Sequence, residues 1–169
     1  MLRSIRSMLT TSDMVTLYQS LVLPHFDYCC SLWGNFGEVL KSKLQTLQNR
    51  AARIITRSGF EVRSSEILAN LGWADLETRR SRPTSTLMNK IMNDLAPGYL
   101  WELFTPLNEE VDYNLRQSDI NVKIPQLHSE YLKRSLSYKG APLWNNLPVA
   151  IRYATNAKYF NNLINLYNF

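Results

Sequence analysis

The sequence has little cysteine and no long apolar run. Its two cysteines, Cys29 and Cys30, are adjacent in a chain of 169 residues. They cannot cross-link distant segments, which excludes a secreted disulfide framework. No apolar stretch reaches the roughly 18 residues that a membrane-spanning helix needs, and the basic start at 1–6 is followed by polar residues rather than by the apolar core of a signal peptide. These absences predict an intracellular protein that does not contact a membrane, with nucleus and cytoplasm both open.

Motifs for catalysis and cofactor binding are also missing. There is no Gly-x-Ser-x-Gly turn for a nucleophilic serine and no glycine-rich phosphate loop. Two-metal phosphoryl transfer needs clustered carboxylates, but no two aspartates are adjacent; they lie at positions 13, 27, 75, 94, 112 and 119. His25 and Cys29 have the spacing of a metal-binding pair, but only Cys30 and His128 could add ligands, which favours a structural role. The sequence therefore predicts no catalytic residue, no cofactor and no metal.

What is present is a globular composition with an uneven positive charge. Hydrophobic residues make up 45% and charged residues 20%, and the net charge is +5. Residues 1–100 contain twelve basic and eight acidic side chains, whereas residues 101–169 contain seven and six. Because an excess of positive charge favours anionic partners, we expect any nucleic-acid surface to lie in the first hundred residues.

The clearest predicted element is a helix at about 38–57. Its apolar residues recur at helical spacing and form one predicted stripe: Leu40, Leu44, Leu47, Ala51, Ile54 and Ile55. Lys43, Arg50, Arg53 and Arg57 fall on an adjacent flank, and Glu38 is the only acid in the segment. Four cations without counter-charges repel one another, so an anionic ligand such as nucleic acid would relieve this cost. A solvated helix face is the competing interpretation.

A second basic cluster contains Arg79, Arg80 and Arg82, on a helix predicted to start near Asp75. It is a further candidate for nucleic-acid contact, although arginines also pair with acids and with helix C-termini. Pro83 follows shortly, and a proline inside a helix costs about 3 kcal/mol or more. The polar residues 84–86 add no apolar stripe after it. The sequence therefore predicts that this helix breaks at Pro83.

The pattern changes after Pro106. Segments 113–116, 120–124 and 131–138 resemble short strands, the last because its apolar residues alternate with polar ones. Gly140 and Pro142 are expected to end that run, and a last amphipathic helix is predicted at 157–167. The expected fold class is mainly α with a small β-containing C-terminal region, divided into domains at 1–105 and 106–169.

Several motifs, taken in order, resemble a known family. They are LYQSLVLPHFDYC at 17–29, LWG at 32–34, KLQTLQNRAARII at 43–55, LGWADL at 71–76, LAPGYL at 95–100, YNLR at 113–116, RSLSY at 134–138 and WNNLP at 144–148. Together they resemble the C-terminal part of the reverse transcriptase of jockey-like non-LTR retrotransposons, which belong to the LINE class of transposable elements. The resemblance extends over nearly the whole chain.

This resemblance implies a place within a polymerase. Residues 1–105 would form a thumb-like helical bundle, and 106–169 would be an element-specific tail. The parent enzyme is an RNA-directed DNA polymerase, but the Ala-Asp-Asp turn of its catalytic palm has no counterpart in this sequence. The resemblance therefore implies a fragment without activity of its own. It would bind template–primer RNA or RNA/DNA duplex weakly and without sequence specificity, and it would belong beside the missing palm.

A second hypothesis is a standalone or co-opted helical module that contacts proteins and does not bind nucleic acid. A thumb separated from its palm exposes the apolar surface that packed against the palm, and such surface favours partner binding. Salt distinguishes the two hypotheses, because duplex binding weakens steeply as salt rises whereas apolar association does not.

Overall fold

The computed structural model describes residues 2–33, 37–107 and 121–167, with only the backbone of 32 and 33. This part of the chain is mostly helical, as the expected mainly α fold class requires. The α-helices are α1 (Leu2–Ile5), α2 (Thr11–Leu17), α3 (Leu23–Asp27), α4 (Cys30–Trp33), α5 (Glu38–Thr56), α6 (Ser64–Asn70), α7 (Leu76–Met92), α8 (Gly98–Trp101), α9 (Leu136–Asn145), α10 (Val149–Arg152) and α11 (Ala157–Leu166). A π-helical turn, Tyr18–Val22, joins α2 to α3, and a 3-10 turn, Leu132–Arg134, precedes α9.

The contacts divide the chain into two compact units. The first contains the described residues of Met1–Cys30 and Phe36–Arg79, and the second contains those of Ser31–Asn35 and Arg80–Phe169. Each unit has its own apolar core. The boundary at 105/106 that we expect from the sequence rests on the family resemblance, which assigns 1–105 to a thumb-like domain and 106–169 to an element-specific tail. This boundary stays a prediction.

The first unit is organised around α5. Ala51 and Ile55 pack with Met14 and Tyr18, and Ala52 packs with Ile67 of α6 and its neighbours. Small alanines on one side of a helix let adjacent helices approach closely, since no long side chain separates them. The predicted helix at 38–57 is thus confirmed nearly to its ends.

Local sequence signals start the helices of both units. Thr10 caps α2 in a capping box, because its hydroxyl accepts from the Asp13 amide at 3.2 Å while the Asp13 carboxylate accepts from the Thr10 amide at 3.1 Å. Ser135 caps α9 by accepting from the Tyr138 amide at 3.3 Å. Asn156 caps α11 by accepting from two amides of its first turn.

The predicted break at Pro83 is wrong. Pro83 lies inside α7, which is continuous over Leu76–Met92. A proline in this position cannot donate to the Arg79 carbonyl, so one intrahelical hydrogen bond is lost, but the backbone torsion of proline still suits a helix. The helix continues because the residues after the proline are held by other contacts.

Those contacts are apolar and polar. Met88 and Ile91 are buried in the core of the second unit. Ser85 and Asn89 are both 0% exposed. Asn89 Nδ2 donates to the Ala154 carbonyl at 2.8 Å, and Thr86 Oγ1 donates to Asn161 Oδ1 at 2.8 Å. The hydroxyl of Ser85 has no hydrogen-bond partner among the described residues, so the hydrogen bonds of Thr86 and Asn89 add to the apolar burial of Met88 and Ile91 rather than replace it.

The predicted strand at 131–138 is also wrong. Its residues form the 3-10 turn Leu132–Arg134 and the start of α9. Two features outweigh the alternating pattern. Ser135 is a good N-cap, and the following turns carry Gly140, Ala141 and Trp144 into the core of the second unit, where Trp144 stacks on Phe160 with ring centroids 6.3 Å apart. Gly140 does not end the segment, and α9 also continues through Pro142.

Of the other predicted strands, only part is within the described residues. Val122 forms an isolated antiparallel bridge with Pro106. The Lys123 amide donates to the Thr105 carbonyl at 2.8 Å, and the Leu107 amide donates to the Asn121 carbonyl at 3.0 Å. In the described part of 106–169 the extended structure is limited to this pairing, and the predicted strand at 113–116 lies outside it.

We predict that Pro83→Ala stabilises the protein. Alanine restores the lost intrahelical hydrogen bond and relieves the ring clash in α7, for a gain of about 1–3 kcal/mol. Thermal unfolding followed by circular dichroism should show a midpoint several degrees higher. Pro97→Ala is the control, because Pro97 is the N-cap of α8 and no intrahelical bond is lost there. A midpoint for Pro83→Ala at or below that of the Pro97→Ala variant would contradict the prediction.

Candidate nucleic-acid interface

The rotation of α5 decides which of its cations face solvent. The residues buried along α5 are Gln48, Ala51, Ala52 and Ile55, which follow the i, i+3, i+4, i+7 spacing of one helix face. Leu40 and Leu47, which we expected in the apolar stripe, are 48% and 51% exposed. The buried face is therefore centred on Gln48 and Ile55 and not on Leu40 and Leu47.

Buried Gln48 is satisfied by a network of amides. Its Nε2 donates to the Ala74 carbonyl at 3.1 Å, and its Oε1 accepts from Gln45 Nε2 at 2.9 Å. Gln45 Oε1 in turn accepts from the Leu76 backbone amide at 2.9 Å. The network joins the middle of α5 to the first residue of α7. Sequence periodicity missed it, because a glutamine in a basic helix is typical of a polar surface.

Lys43 and Arg50 lie on the solvent side of α5. At about 100° per residue, their midpoint is about 140° from that of the buried face. Both side chains are exposed. Neither forms a hydrogen bond or an ion pair with a residue in the ranges 2–33, 37–107 and 121–167. They are two helical turns apart, about 10.5 Å along the axis.

Arg53 is engaged by the loop that follows α5. Its Nη1 donates to the Gly59 carbonyl at 2.5 Å and its Nη2 donates to Ser64 Oγ at 3.0 Å. The guanidinium also lies 5.8 Å from the centroid of the Phe60 ring, within the range of a cation–π contact. Arg53 therefore ties the loop at 57–63 to the end of the helix.

Arg57 ends α5. It adopts the left-handed conformation with φ of 58°, which terminates a helix. Its Nη2 donates to the carbonyls of Arg6 and Leu9 at 3.2 and 3.4 Å. The side chain stays exposed, so Arg57 links α5 to the segment after α1 while part of its guanidinium faces solvent.

Arg79 and Arg80 are not an exposed pair. Arg79 binds Asp27 in a bidentate ion pair, with Nε 2.7 Å from Oδ1 and Nη2 2.6 Å from Oδ2, and these hydrogen bonds raise the pKa of Arg79. Arg80 is 8% exposed and belongs to the second unit. The structure thus separates the two cations that adjacent positions in the sequence had grouped together.

Lys41 differs from the exposed Lys43 and Arg50, because two carboxylates bind it. Its Nζ lies 3.0 Å from Glu38 Oε1 and 3.2 Å from Glu77 Oε1. Desolvation lowers the pKa of Lys41, but the hydrogen bonds and charges of the two carboxylates together outweigh it, so that the pKa is raised. The one acid at the start of α5 is therefore already used and does not neutralise Lys43 or Arg50.

Two further features bear on function. Within the described residues, no three His, Cys, Asp or Glu side chains come together as metal ligands. None of the described helices is both long and apolar enough to cross a membrane.

Comparison with known proteins gives one informative similarity. No family model matches the chain, and no solved structure matches it. Over 70 residues the chain is 33% identical to a protein of Drosophila melanogaster described as a probable RNA-directed DNA polymerase from transposon X-element. The match covers 41% of this chain and 8% of the relative. Part of the chain is therefore similar to part of a retrotransposon RNA-directed DNA polymerase. This agrees with the relation to a retrotransposon reverse transcriptase that the sequence motifs indicate.

The Arg79–Asp27 pair lies near a buried tyrosine with a testable pH dependence. Tyr18 is 1% exposed and stacks on Trp73 with centroids 4.4 Å apart. Its hydroxyl is buried without a hydrogen-bond partner among the described residues. Burial raises the pKa of Tyr18 to about 12, with smaller opposing effects of Arg79, which lowers it, and of Asp27, which raises it.

We predict that Tyr18→Phe makes the free energy of unfolding less sensitive to high pH. In the unfolded chain a tyrosine ionises with a pKa of about 10, which is below the pKa of Tyr18 in the folded protein. The contribution of Tyr18 to stability is therefore complete below about pH 10 and is lost as the pH rises to about 12. Urea unfolding between pH 8 and pH 11.5 should show a shallower decline for Tyr18→Phe than for the natural chain. Tyr99→Phe, which removes an exposed hydroxyl, should keep the natural profile. Equal declines in all three proteins would refute the assignment.

Proposed function

We propose that the chain is a segment of a jockey-like non-LTR retrotransposon reverse transcriptase that corresponds to the thumb and the region after it. In this proposal it binds RNA or RNA/DNA duplex without sequence specificity and depends on the palm of the parent polymerase for catalysis. The similarity to the transposon polymerase, the ordered motifs and the helical fold support this origin.

The observation that carries the binding proposal is the exposed pair Lys43 and Arg50. These two cations have no counter-charge among the described residues and stand on the solvent side of a 19-residue helix. Their separation of about 10.5 Å is larger than the spacing of neighbouring phosphates, which follow one another about every 3.4 Å of the duplex axis on each strand. Each side chain can therefore contact a different phosphate, so that each displaces its own condensed counterions.

The other candidate residues contribute differently. Arg57 is an exposed residue at the end of α5, but its Nη2 donates to the Arg6 and Leu9 carbonyls, so it is not a member of the Lys43–Arg50 pair. Arg53 and Arg79 are held in internal contacts, and Arg80 is buried. In the proposal these three shape and stabilise the units and do not contact phosphate.

A second candidate function, association with a protein, is supported by the exposed leucines of α5. Leu40 and Leu47 are two turns apart and each is about half exposed. They lie between the buried face and the Lys43–Arg50 row. This apolar edge fits a helical module that contacts another protein, and such contact would not weaken with added sodium chloride.

We predict that replacing both exposed cations of α5 lowers the salt dependence of duplex binding. For a 20-base-pair RNA/DNA duplex, Lys43→Gln with Arg50→Gln should reduce the slope of log affinity against log salt by roughly two, about 0.9 for each phosphate that the variant no longer neutralises. Fluorescence anisotropy over 50–300 mM sodium chloride measures this slope. The matched control is Arg3→Gln with Arg63→Gln, which removes two exposed cations of the same unit outside α5.

The outcomes separate the two functions. Equal slopes for the test and control variants would contradict phosphate contact by α5. Salt-insensitive self-association or protein binding that is lost in Leu40→Ser with Leu47→Ser would instead support the interaction module. Binding that falls only in the Lys43 and Arg50 variant supports the proposed function.

A further inference from the structure

A groove between α7 and α11 combines positive charge with amide groups. It lies within the second unit and is an open groove with a volume of about 500 Å³, inside the range of about 300–1,000 Å³ that is typical of ligand sites. Its polar lining consists of Arg82, Thr86 and Lys90 from α7 with Asn161 and Asn165 from α11. Among the described residues no acid lines it, so its two cations give it a net positive charge.

Arg82 carries the strongest indication of a ligand. Its Nε is buried and has no hydrogen-bond acceptor in the described part of the chain. Neither Arg82 nor Lys90 forms an ion pair or hydrogen bond with another described residue. A buried donor without an acceptor is costly. The two terminal nitrogens of the guanidinium are not among the buried atoms, so they are the donors that an anion in the groove can reach.

The amides add directional donors. Thr86 Oγ1 donates to Asn161 Oδ1 at 2.8 Å, so the acceptor of this amide is used and its Nδ2 is left as a donor. Asn165 lies one turn further along the same face of α11. Two cations and a row of amides can bind both the oxygens of a phosphate and the polar edge of a base.

The remaining lining is apolar and suits a ring. Pro83, Leu87 and Ile164 complete the groove. From this combination we propose that the α7–α11 groove binds a nucleotide unit, with its phosphate at Arg82 and Lys90 and its base against the apolar side. The unit can be a free nucleotide or one residue of a single strand. The groove shares no residue with the Lys43–Arg50 row, so this inference does not rest on the proposed function.

The experiment uses the full chain carrying Lys43→Gln and Arg50→Gln, so that binding by α5 does not obscure the groove. One arm titrates uridine 5′-monophosphate by calorimetry, and the other titrates a labelled decauridylate by fluorescence anisotropy. In this background, Arg82→Gln should weaken binding about 10- to 100-fold, as expected for the loss of a charged hydrogen bond. Lys158→Gln is the matched control, because Lys158 is an exposed cation of α11 outside the groove. It should change affinity less than about threefold.

A second variant keeps the test decisive if Arg82→Gln unfolds. Asn165 is exposed, so Asn165→Asp tests the groove without altering the core and should weaken binding at least as strongly by placing a negative charge beside the phosphate. Binding in both arms identifies a nucleotide in general as the ligand, and binding of decauridylate alone identifies a residue within a strand. Binding in neither arm would overturn the proposal. Equal affinities for the Asn165→Asp and Lys158→Gln variants would also overturn it.

Discussion

Burial of the Gln48 side chain is the interaction on which the first unit depends. A buried amide must satisfy both a donor and an acceptor, and Gln48 does so through the Ala74 carbonyl and the Gln45 amide. These hydrogen bonds allow only one rotation of α5 about its axis. That rotation turns Ala52 towards Ile67 and Ile55 towards Met14 and Tyr18, and it leaves Lys43 and Arg50 facing solvent.

The place of each cation along α5 decides what it binds. Arg53 and Arg57 lie at the end of the helix, where the loop that follows it and the segment after α1 come within reach of their guanidinium groups. Their donors are accordingly used by Gly59, Arg6 and Leu9. Lys43 and Arg50 stand in the body of the helix, where the carbonyls are already bonded within it. These four cations look alike in the sequence, but the two at the end of the helix make structural contacts and the two in its body face solvent.

The sequence was informative where periodicity is strong and local. It predicted α5 and the last helix, α11, nearly to their ends, because both have apolar residues at helical spacing over several turns.

The sequence-based predictions failed where contacts with residues distant in the sequence determine the local structure. Gln48 is buried because Ala74 and Gln45 supply its partners. α7 continues past Pro83 because Met88 and Ile91 are buried in the core and because Ala154 and Asn161 bind Asn89 and Thr86. The alternation at 131–138 was outweighed by the Ser135 cap and by the burial of Trp144. The pairing of Arg79 with Asp27 joins positions 52 residues apart, so no local pattern could separate Arg79 from Arg80.

The buried amide of Asn89 also hydrogen-bonds within the second unit, although only its Nδ2 has a partner among the described residues. Apolar contacts tolerate a small rotation or sliding of a helix, because dispersion and hydrophobic burial have no direction. A hydrogen bond such as that from Asn89 to the Ala154 carbonyl does not tolerate it, because donor and acceptor must remain aligned. Asn89 therefore sets the rotation of this part of α7, and with it the line of Arg82, Thr86 and Lys90 along the groove. In both units, the direction in which the charged side chains point is determined by a neutral residue in the core, so charge pattern alone is a poor guide to which cations can reach a ligand.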